Sequence, residues 1–349
     1  MFYIFYFAFY ISHFTFCILQ SALPLDATIH RRLSTALCRQ PSAVFPMRRV
    51  RLIRRVLQPT GAGPGNGQYA LQRVLRGRIR QGLDWLVVGG TPRQGELPWF
   101  WSWQDRAMAV RWARRGLPFV QGPNTVFLSS RQPRADGLEC ALLDLPQCRL
   151  TFTESEWYRR LIFEHRGPQN RSPVVLCPYP IFPQPPGPID PPQYDVLIYL
   201  KNGHFPGLAE ALRRRFARVA AIRYGAYRRE ELWETARRSR CCCYLADDDR
   251  GPLALAEILL CGCPTVGVPT GAPFVEADRS GFVLADPTPA AWLDAVDRCH
   301  AIDRQGVAAW AATRFDPERI ADTVLAALEA AGREDRRLNF RRFSDGFCS

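Results

Sequence analysis

Residues 247–284 read DDDRGPLALAEILLCGCPTVGVPTGAPFVEADRSGFVL, and they follow an apolar run of strand length, CCCYLA, at 241–246. Three carboxylates and a Gly-Pro pair come first. Residues 253–260 then predict an apolar helix that carries one acid, Glu257. Cys-Gly-Cys-Pro ends this helix, because glycine suits a helix C-terminus and proline cannot continue a helix. Residues 265–268 predict the next buried strand. The order strand, acidic loop, helix, strand is typical of one unit of a parallel α/β sheet.

The acidic loop lies between the carboxyl end of a predicted strand and the N-terminus of a predicted helix, where open α/β sheets bind their ligands. The free N–H groups of Gly251, Leu253 and Ala254 would point outward, and the helix dipole adds partial positive charge. A pyrophosphate fits that field. Glu257, further along the helix, is placed to accept hydrogen bonds from the ribose hydroxyls of the same nucleotide.

Two acids in this stretch, Asp249 and Glu257, stand eight positions apart. Together with the following Leu-Cys-Gly-Cys-Pro-Thr-Val, this arrangement resembles the paired-acid signature of retaining GT-B glycosyltransferases, especially those of family 4. In that family the first acid is a glutamate that contacts the donor sugar, and the second contacts the donor ribose. The first acid here is aspartate, one methylene shorter. The resemblance covers residues 194–284 and implies that Asp249 and Glu257 are the catalytic-site acids.

Other interpretations of these acids remain. Three consecutive aspartates often form only a solvated turn, and a single glutamate on an apolar helix can be held in a salt bridge. Alternatively, the aspartates at 247–249 could form the metal-binding Asp-x-Asp of GT-A transferases, since carboxylates on a turn suit Mg²⁺ or Mn²⁺. That alternative leaves Glu257 and the Cys-Gly-Cys-Pro turn unexplained, and we therefore predict no metal site.

The 349-residue length predicts two domains. A net charge of +13 favours anionic ligands such as phosphates, nucleic acid or an acidic membrane surface. No nucleic-acid-binding module is recognisable, and no Gly-x-Ser-x-Gly or P-loop motif occurs. The 12 cysteines include no Cys-x-x-Cys pair, which predicts reduced core thiols and a reducing compartment.

The first 20 residues are apolar, rich in aromatics and free of Lys, Arg, Asp and Glu. Their length is marginal for a membrane-spanning helix. Basic residues follow, so an anchor would leave the rest of the chain in the cytoplasm, at the inner face of the membrane. The interpretation that we favour is that translation begins at Met47, which opens an ordinary first strand, so that residues 1–46 are either untranslated or a disordered extension. Residues 1–46 are therefore treated as an N-terminal extension, and the expected location is the cytoplasm.

Residues 47–177 predict a first Rossmann-like domain that binds the acceptor. A basic strand at 51–57, a glycine-rich loop at 59–67 and a helix at 68–80 open it. This geometry suits phosphate, although a plain tight turn is the more common explanation of such a loop. The remaining elements expected here are strands at 83–88, 117–121, 149–152 and 174–177 and helices at 99–115 and 155–163, with Ser155 as the N-cap of the last.

Four residues are expected on the acceptor side of a cleft. The resemblance places the glycine-rich loop there, with Gly63, Gly65 and Gly67. It also places Asn124 at the end of the third strand, where the family often has histidine. An amide can form a hydrogen bond with a substrate hydroxyl but cannot transfer a proton at neutral pH.

Residues 178–192, PYPIFPQPPGPIDPP, predict a stiff extended linker. Residues 193–332 predict a second Rossmann-like domain that binds the donor, and residues 333–349 form a basic tail. The elements expected after the linker, besides those at 241–268, are strands at 194–200 and 220–224 and helices at 208–219, 228–238, 289–302 and 317–331. Thr288 and Asp316 are the predicted N-caps of the last two helices, each followed by proline.

The resemblance implies a cation near the donor pyrophosphate, and Lys201 matches best by position. The second lysine usual in the family is missing, and Arg223 or Arg228 could replace it. Tyr224 and Gly225 would lie beside the nucleotide base. The predicted donor-binding residues are Lys201, Asn202, Gly203, Tyr224, Gly225, Gly251, Pro252, Leu253 and Ala254.

The sequence therefore predicts an α/β protein of the GT-B fold, with two Rossmann-like domains facing across a cleft. The expected function is transfer of a sugar from a UDP- or GDP-linked donor to a glycan or lipid-linked acceptor, with retention at the anomeric carbon and no metal or other cofactor. Peripheral membrane association is compatible with this, and no nucleic-acid partner is expected. The alternatives are a non-catalytic GT-B scaffold that binds nucleotide-sugar or glycan and, more weakly favoured, a basic nucleic-acid-binding protein.

Overall fold

A computed structural model of the chain describes residues 49–56, 64–125, 128, 142–203 and 205–345. These residues belong to one compact unit. Within it they form two parallel-sheet α/β domains, one before and one after the proline-rich segment. The long apolar stretch at residues 1–20 lies outside the described residues. In the part that is described, no helix combines the length and the apolarity needed to cross a bilayer.

The sheet of the first domain has the strand order β2-β1-β3-β4-β5-β6, and every described pairing in it is parallel. Its strands are β1 (Val50–Leu52), β2 (Leu86–Val88), β3 (Leu97–Ser102), β4 (Phe119–Asn124), β5 (Cys148–Thr153) and β6 (Val174–Leu176). The helices of this domain are α1 (Pro64–Arg80), α2 (Arg106–Ala113) and α3 (Glu156–His165), and a short 3₁₀ turn spans Trp103–Asp105.

The prediction of a helix at 99–115 was wrong over its first half. Leu97–Ser102 is strand β3, which pairs with β1 on one side and β4 on the other and is buried along its whole length. Strands of a parallel sheet are covered on both faces, so they show no alternation of apolar and polar residues. Trp99, Phe100 and Trp101 also favour the extended state because aromatic side chains pack well on a pleated surface.

The helix that follows the glycine-rich loop begins earlier than predicted. Helix α1 begins at Pro64, so Gly65 and Gly67 belong to its first turn rather than to a loop. Proline is well suited to the first position of a helix, because the N–H that it lacks has no partner there anyway. Gly63 lies outside the described residues. A Cβ atom at Gly67 would stand 2.6 Å from the Tyr179 side chain, so glycine allows the close approach of these two segments.

The sheet of the second domain has the order β11-β10-β9-β7-β8 and is likewise parallel. Its strands are β7 (Tyr194–Leu200), β8 (Val219–Arg223), β9 (Ser239–Leu245), β10 (Thr265–Gly267) and β11 (Gly281–Val283). The helices that follow β7 are α4 (Leu208–Arg215), α5 (Arg229–Arg237), α6 (Leu253–Leu260), α7 (Pro289–Cys299), α8 (Arg304–Arg314) and α9 (Pro317–Asp345).

In this domain some observed ends of helices and strands match the predicted ones, and others do not. The predicted strand at 194–200 and the predicted helix at 253–260 match residue for residue. Helix α8 was not predicted, and the helix expected at 208–219 ends at Arg215 because Val219 begins a strand. Thr288 caps α7 by accepting a hydrogen bond from the Ala291 N–H at 3.2 Å. The eight cysteines among the described residues are all free and buried, as expected for core thiols.

No helix or strand occurs between β6 and β7, at residues 177–193. Arg304 of α8 anchors this segment, since its guanidinium donates to the Ile189 carbonyl at 2.8 Å and to the Asp190 carboxylate at 2.6 Å. Arg73 of α1 lies over the Phe182 ring at 3.9 Å. The proline-rich segment is therefore extended and is fixed to both domains.

Helix α9 continues to Asp345, well beyond the predicted end at 331, and returns to the first domain. Ile320, Val324 and Leu328 lie in one core with Leu71 and Leu75 of α1. Arg78 of α1 also donates to the carboxylates of Glu318 and Asp322. The last helix therefore covers the first domain and joins the two halves of the molecule.

Candidate functional site

A cavity of about 430 Å³ lies between the two domains. From the first domain it is lined by Asn66, Asn124 and Glu154, and the proline-rich segment contributes Tyr179. The second domain contributes the carboxyl ends of β7 and β9, the turn between β8 and α5, and the acidic loop with the first turn of α6. The cavity is thus placed where the predicted ligand-binding edge of the second sheet faces the first domain.

Most of the residues predicted from the sequence meet in this cavity. The predicted residues that line it are Lys201, Tyr224, Gly225, Asp249, Gly251, Pro252, Leu253, Ala254, Glu257 and Asn124. Asn202 and Gly203 do not line it. Gly203 has a packing role instead, because a Cβ atom there would stand 2.2 Å from the Phe205 ring. Gly65 and Gly67 also do not line the cavity, and Gly63 lies outside the described residues.

The first acid, Asp249, is held by groups from both domains. Its Oδ2 accepts hydrogen bonds from the Lys201 ammonium and from the Tyr244 hydroxyl, the latter at 2.9 Å. Its backbone carbonyl accepts one from the Trp157 indole N–H of the first domain at 3.3 Å. Burial raises the pKa of the Asp249 carboxyl, and Lys201 opposes that rise. The position of this carboxylate is therefore fixed before any ligand binds.

Lys201 is the only lysine in the whole sequence, where 46 residues are Lys or Arg. Its ammonium pairs with Asp249 and lies 5.1 Å from the centre of the Tyr224 ring. A lysine ammonium is a compact charge that can turn its three N–H donors among several acceptors, whereas a guanidinium presents a rigid planar fork. In a chain that otherwise uses arginine throughout, the one lysine thus stands in the cavity.

The second acid, Glu257, forms an ion pair with Arg229, whose Nε lies 2.6 Å from Glu257 Oε1. The guanidinium also donates to the Phe182 carbonyl at 3.2 Å and lies over the Trp233 ring. Burial raises the pKa of the Glu257 carboxyl, and Arg229 opposes that rise. Glu257 is 6% exposed, yet it lines the inter-domain cavity, as the prediction of a ribose contact requires.

Arg229 was missed by the sequence analysis, which named Arg223 and Arg228 as candidate cations. Those two arginines are exposed and do not line the cavity, whereas Arg229 does. The sequence held no signal for this choice. Arg228 and Arg229 are neighbours, and only the start of α5 at Arg229 turns the second of them toward Glu257.

The N-terminus of α6 opens into the cavity. Its N-cap is Pro252, which has no side-chain oxygen to cap the helix, and the first intrahelical bond runs from Ala256 N–H to the Pro252 carbonyl. The N–H groups of Leu253 and Ala254 therefore have no acceptor within the helix. These N–H groups and the helix dipole make this point of the cavity favourable for an anion.

Glu154, which follows β5 directly, was also missed. It is 2% exposed, and its Oε1 accepts a hydrogen bond from the Tyr179 hydroxyl at 3.2 Å. Its Cβ atom stands 2.6 Å from where a Gly251 Cβ would be, so only glycine fits at that point of the donor loop. The signal in the sequence was its place at a strand end. The sequence pattern pointed instead to Ser155 as an N-cap, but the Ser155 side chain makes no capping hydrogen bond.

Three tyrosines form one wall of the cavity. The Tyr199 and Tyr244 rings stack in parallel with centroids 4.8 Å apart, and the Tyr199 and Tyr227 hydroxyls lie 3.0 Å apart. Among the described residues, no three His, Cys, Asp or Glu side chains gather into a metal-binding group. The alternative interpretation takes residues 247–249 as a metal-binding Asp-x-Asp. In the structure the Asp249 carboxylate is already paired with the Lys201 ammonium.

No family model matches the sequence, and no curated protein matches it. Similar folds occur among solved structures. AviGT4, a glycosyltransferase involved in avilamycin A biosynthesis, is 15% identical, with 82% of this chain and 98% of that chain covered and a TM-score of 0.46. The lipopolysaccharide outer core galactosyltransferase WaaB, in its apo form, is 8% identical, with 76% and 80% covered and a TM-score of 0.49.

The pneumococcal O-GlcNAc transferase GtfA, in complex with UDP and GlcNAc, is 11% identical, with 67% of this chain and 57% of that chain covered and a TM-score of 0.50. At these identities the likeness shows the fold. The two parallel-sheet α/β domains of this chain form the GT-B fold of glycosyltransferases, as the sequence predicted. Membership of family 4 stays a prediction.

Proposed function

We propose that this protein is a glycosyltransferase that moves a sugar from a nucleotide-sugar donor to an acceptor. The observation that carries the proposal is the inter-domain cavity, in which the paired acids, the single lysine and the open N-terminus of α6 meet. Structural neighbours that are glycosyltransferases support sugar transfer in general terms, and GtfA was solved with UDP and GlcNAc.

The donor diphosphate would bind at the start of α6. There the N–H groups of Leu253 and Ala254 would donate to phosphate oxygens, and the Lys201 and Arg229 side chains line the same cavity. Both cations are now paired with carboxylates, so a diphosphate would share them with Asp249 and Glu257 rather than meet free charges. Binding of the donor would therefore compete with two ion pairs that are already formed.

The two acids would orient the rest of the donor. Glu257 would accept hydrogen bonds from the ribose hydroxyls through the oxygen that Arg229 does not occupy. Asp249 has Oδ2 occupied by Lys201 and Tyr244, which leaves Oδ1 for a hydroxyl of the donor sugar. Tyr224 and Gly225, exposed at the rim, would lie beside the base, which we propose to be uracil or guanine.

During transfer, negative charge develops on the departing diphosphate. The dipole of α6 and the Lys201 and Arg229 cations would stabilise that charge electrostatically, which is often the largest contribution to catalysis. We propose on this ground that the reaction needs no bound metal and no other cofactor. No side chain of the described cavity is assigned as a nucleophile, and retention at the anomeric carbon rests on the resemblance in the paired acids.

Lys201 offers a direct test of the proposed donor site. It is the single lysine of the sequence, so a lysine-specific reagent modifies no other side chain. Reductive methylation with isotope-labelled formaldehyde would place one NMR-visible lysine group at the proposed diphosphate site. Titration with one of the two nucleotides, UDP or GDP, should shift the resonance of the methylated lysine. The same nucleotide should slow methylation of the unmodified protein. If neither nucleotide changes the resonance or the reaction rate, the proposed donor site is wrong.

Turnover is tested with a panel of UDP- and GDP-sugars, by measuring nucleotide release. The variants Lys201→Met, Asp249→Asn and Glu257→Gln should each lower the rate at least tenfold. Arg240→Met, which removes an exposed cation outside the cavity, serves as the control and should keep the rate of the unmodified protein. Nucleotide binding without any turnover would favour the alternative of a non-catalytic scaffold.

A further inference from the structure

The first turn of α3, in the first domain, contacts the donor loop, which is the segment 246–252 between β9 and α6. Two consecutive residues of this loop take part. The Asp249 carbonyl accepts a hydrogen bond from the Trp157 indole N–H at 3.3 Å. The Arg250 guanidinium lies 5.1 Å from the centre of the Tyr158 ring. The outer side of the donor loop is therefore held by a domain to which the loop does not belong.

The contact extends to the residues just before α3. Glu154 packs on Gly251, where an added Cβ atom would stand 2.6 Å from Glu154 Cβ. Burial raises the pKa of the Glu154 carboxyl, and the positive charge of Arg250 opposes that rise. Arg250 thus interacts with both Tyr158 and Glu154, two residues of one short segment of the first domain.

Tyr158 is a rigid partner for Arg250. Its side chain is 1% exposed and belongs to a core of the first domain. Its hydroxyl oxygen accepts a hydrogen bond from the Leu128 N–H at 2.7 Å, and Arg250 Nη1 donates to the same oxygen at 3.4 Å. A guanidinium is attracted to an aromatic face, and the attraction is stronger where water is excluded. Because the ring is fixed by its own domain, Tyr158 determines where the Arg250 side chain lies.

The second domain holds the donor loop from its inner side. The Asp249 N–H donates to the Thr270 carbonyl at 2.8 Å, and the Thr270 hydroxyl donates to the Asp247 carbonyl at 2.6 Å. The contacts of Trp157 and Arg250 hold the loop from the opposite side. A loop that is held from two sides opens more easily when the contacts on one side are lost.

We propose that Arg250 and Tyr158 are positioning residues, through which the first domain holds the donor loop in the conformation that presents the Asp249 carboxylate to the donor sugar. The consequence for catalysis rests on the proposed function, but the positioning itself can be measured without a substrate. The nucleotide would bind at Lys201 and at the start of α6, both of which belong to the second domain. Loss of the contact between Arg250 and Tyr158 should therefore impair orientation of the sugar more than binding of the nucleotide.

Hydrogen exchange of the full chain without ligand, measured by mass spectrometry, tests the positioning. The Asp249 amide is protected by its hydrogen bond to Thr270, so exchange in the peptide that contains residues 247–252 reports opening of the loop. Tyr158→Leu changes a residue far from the loop in the sequence, and it should raise this exchange rate at least tenfold. Arg250→Met, in the loop itself, should do the same if Tyr158→Leu does not fold. Unchanged exchange in the folded variants would overturn the proposal.

Two matched variants separate positioning from a general loss of stability. Ile162→Ala removes packing from the same helix and the same core as Tyr158, while leaving Tyr158 itself in place. Arg298→Met removes another arginine of the second domain that lies over an aromatic ring, that of Phe282, at 4.0 Å. Both should leave exchange in the donor loop unchanged, although Ile162→Ala lowers the temperature of unfolding. Equal rises for Ile162→Ala and Tyr158→Leu would show that the loop responds only to stability, and would overturn the proposal.

Turnover then tests the consequence. With the nucleotide-sugar that the unmodified protein uses, Arg250→Met should lower kcat at least tenfold and change the dissociation constant of the nucleotide less than threefold. The double variant Arg250→Met with Tyr158→Leu should lose no more than a further twofold, because the two side chains act through one contact. Arg250 also lines the cavity, so a direct contact with phosphate is the rival role. A dissociation constant that rises as much as kcat falls would establish that rival and overturn the positioning role.

The two measurements separate this inference from the proposed function. If exchange in the loop rises in Arg250→Met and Tyr158→Leu but no nucleotide-sugar is turned over by the unmodified protein, the loop is positioned as proposed and the glycosyltransferase function is wrong. If the unmodified protein transfers sugar but neither substitution changes exchange in the loop, the function stands and the positioning role is wrong.

Discussion

Arg229 at the start of α5 and Glu257 in the middle of α6 form a buried ion pair, with 2.6 Å between Arg229 Nε and Glu257 Oε1. The pair joins two helices of the second domain on the side that faces the first. Both side chains line the cavity, so the pair belongs to the structure and to the proposed donor site at once. Its removal therefore has to be judged by stability as well as by binding.

Arg229→Met should lower the free energy of unfolding by about 3 kcal/mol, because it leaves the buried Glu257 carboxylate without its cation. The double variant Arg229→Met with Glu257→Gln should recover part of this loss. Urea unfolding at pH 7 measures both. The exposed pair between Arg78 and Glu318 is the control, since Arg78→Met should cost no more than about 1 kcal/mol. Equal losses for the two arginine substitutions would contradict the buried-pair interpretation.

Gly251→Ala should weaken nucleotide binding and lower the free energy of unfolding by about 1–3 kcal/mol, because the added methyl group has no room. Its Cβ would stand 2.6 Å from Glu154 Cβ, across the contact between the domains. Gly77→Ala is the matched control in helix α1, where a Cβ meets nothing within 4 Å. That variant should raise stability by about 0.5–1 kcal/mol, since alanine favours the helix more than glycine does. Calorimetry with UDP and GDP, together with thermal unfolding, checks both variants.

Glu96→Gln should destabilise the protein at neutral pH but not in acid. Arg51 donates two hydrogen bonds to Glu96, at 2.6 Å and 2.7 Å, and these lower the pKa of the Glu96 carboxyl below its ordinary value of 4.5. The stabilisation is present above that ordinary value and is lost as the pH falls through the lower folded value. Unfolding measured from pH 7 down to about pH 3 should show the wild type and the variant converging. If the free energies of unfolding of the wild type and the variant differ by a constant amount across that range, the charge of Glu96 is not the cause of the destabilisation.

Glu154→Gln should show the opposite pH dependence. Burial raises the pKa of the Glu154 carboxyl, although Arg250 opposes the rise, so the ionised form costs stability at neutral pH. The protonated form gains relative stability as the pH falls through the raised folded pKa toward the ordinary value of 4.5. The wild type should therefore become more stable relative to Glu154→Gln on acidification, as measured by urea unfolding. A gap that widens in favour of the variant as the pH falls would contradict this.

Leu328→Ala should lower the free energy of unfolding by about 2–4 kcal/mol, because it opens a cavity in the core that α9 shares with α1. Thr323→Ala, at an exposed position of the same helix, should change it by no more than about 0.5 kcal/mol. Chemical unfolding compares the two. A small effect at Leu328 would mean that α9 contributes little to the first domain.

The two domains differ in how far their sequence patterns predicted the structure. In the second domain, strand β7 and helix α6 match the prediction residue for residue, because each is a continuous apolar segment with a clear stop signal. In the first domain, β3 was taken for part of a helix. The buried aromatic residues of β3 fit the period of a helix as well as that of a strand. Only the pairing of β3 with β1 and β4 shows that the segment is a strand.

The candidate site divides in the same way. Asp249, Glu257 and Lys201 could be named as candidates from the sequence, because the spacing of the two acids on one αβ unit and the place of the lysine directly after a strand match the family that the sequence resembles. Glu154 and Arg229 could not be found in this way. Glu154 contacts Gly251 and Arg229 contacts Glu257, and in both cases residues far apart in the sequence are brought together only when helices and domains pack.

The sequence by itself predicted the α/β units and the open N-terminus of α6, since these follow from periodicity and from the chemistry of helix ends, and the resemblance of its paired acids predicted the class of fold. Tertiary structure alone decided which arginine faces the cavity, that Asp249 is paired with the single lysine, and that Arg250 lies over the Tyr158 ring of the first domain. Each of these depends on the burial and the partners of a side chain, which arise only when distant segments exclude water from one another.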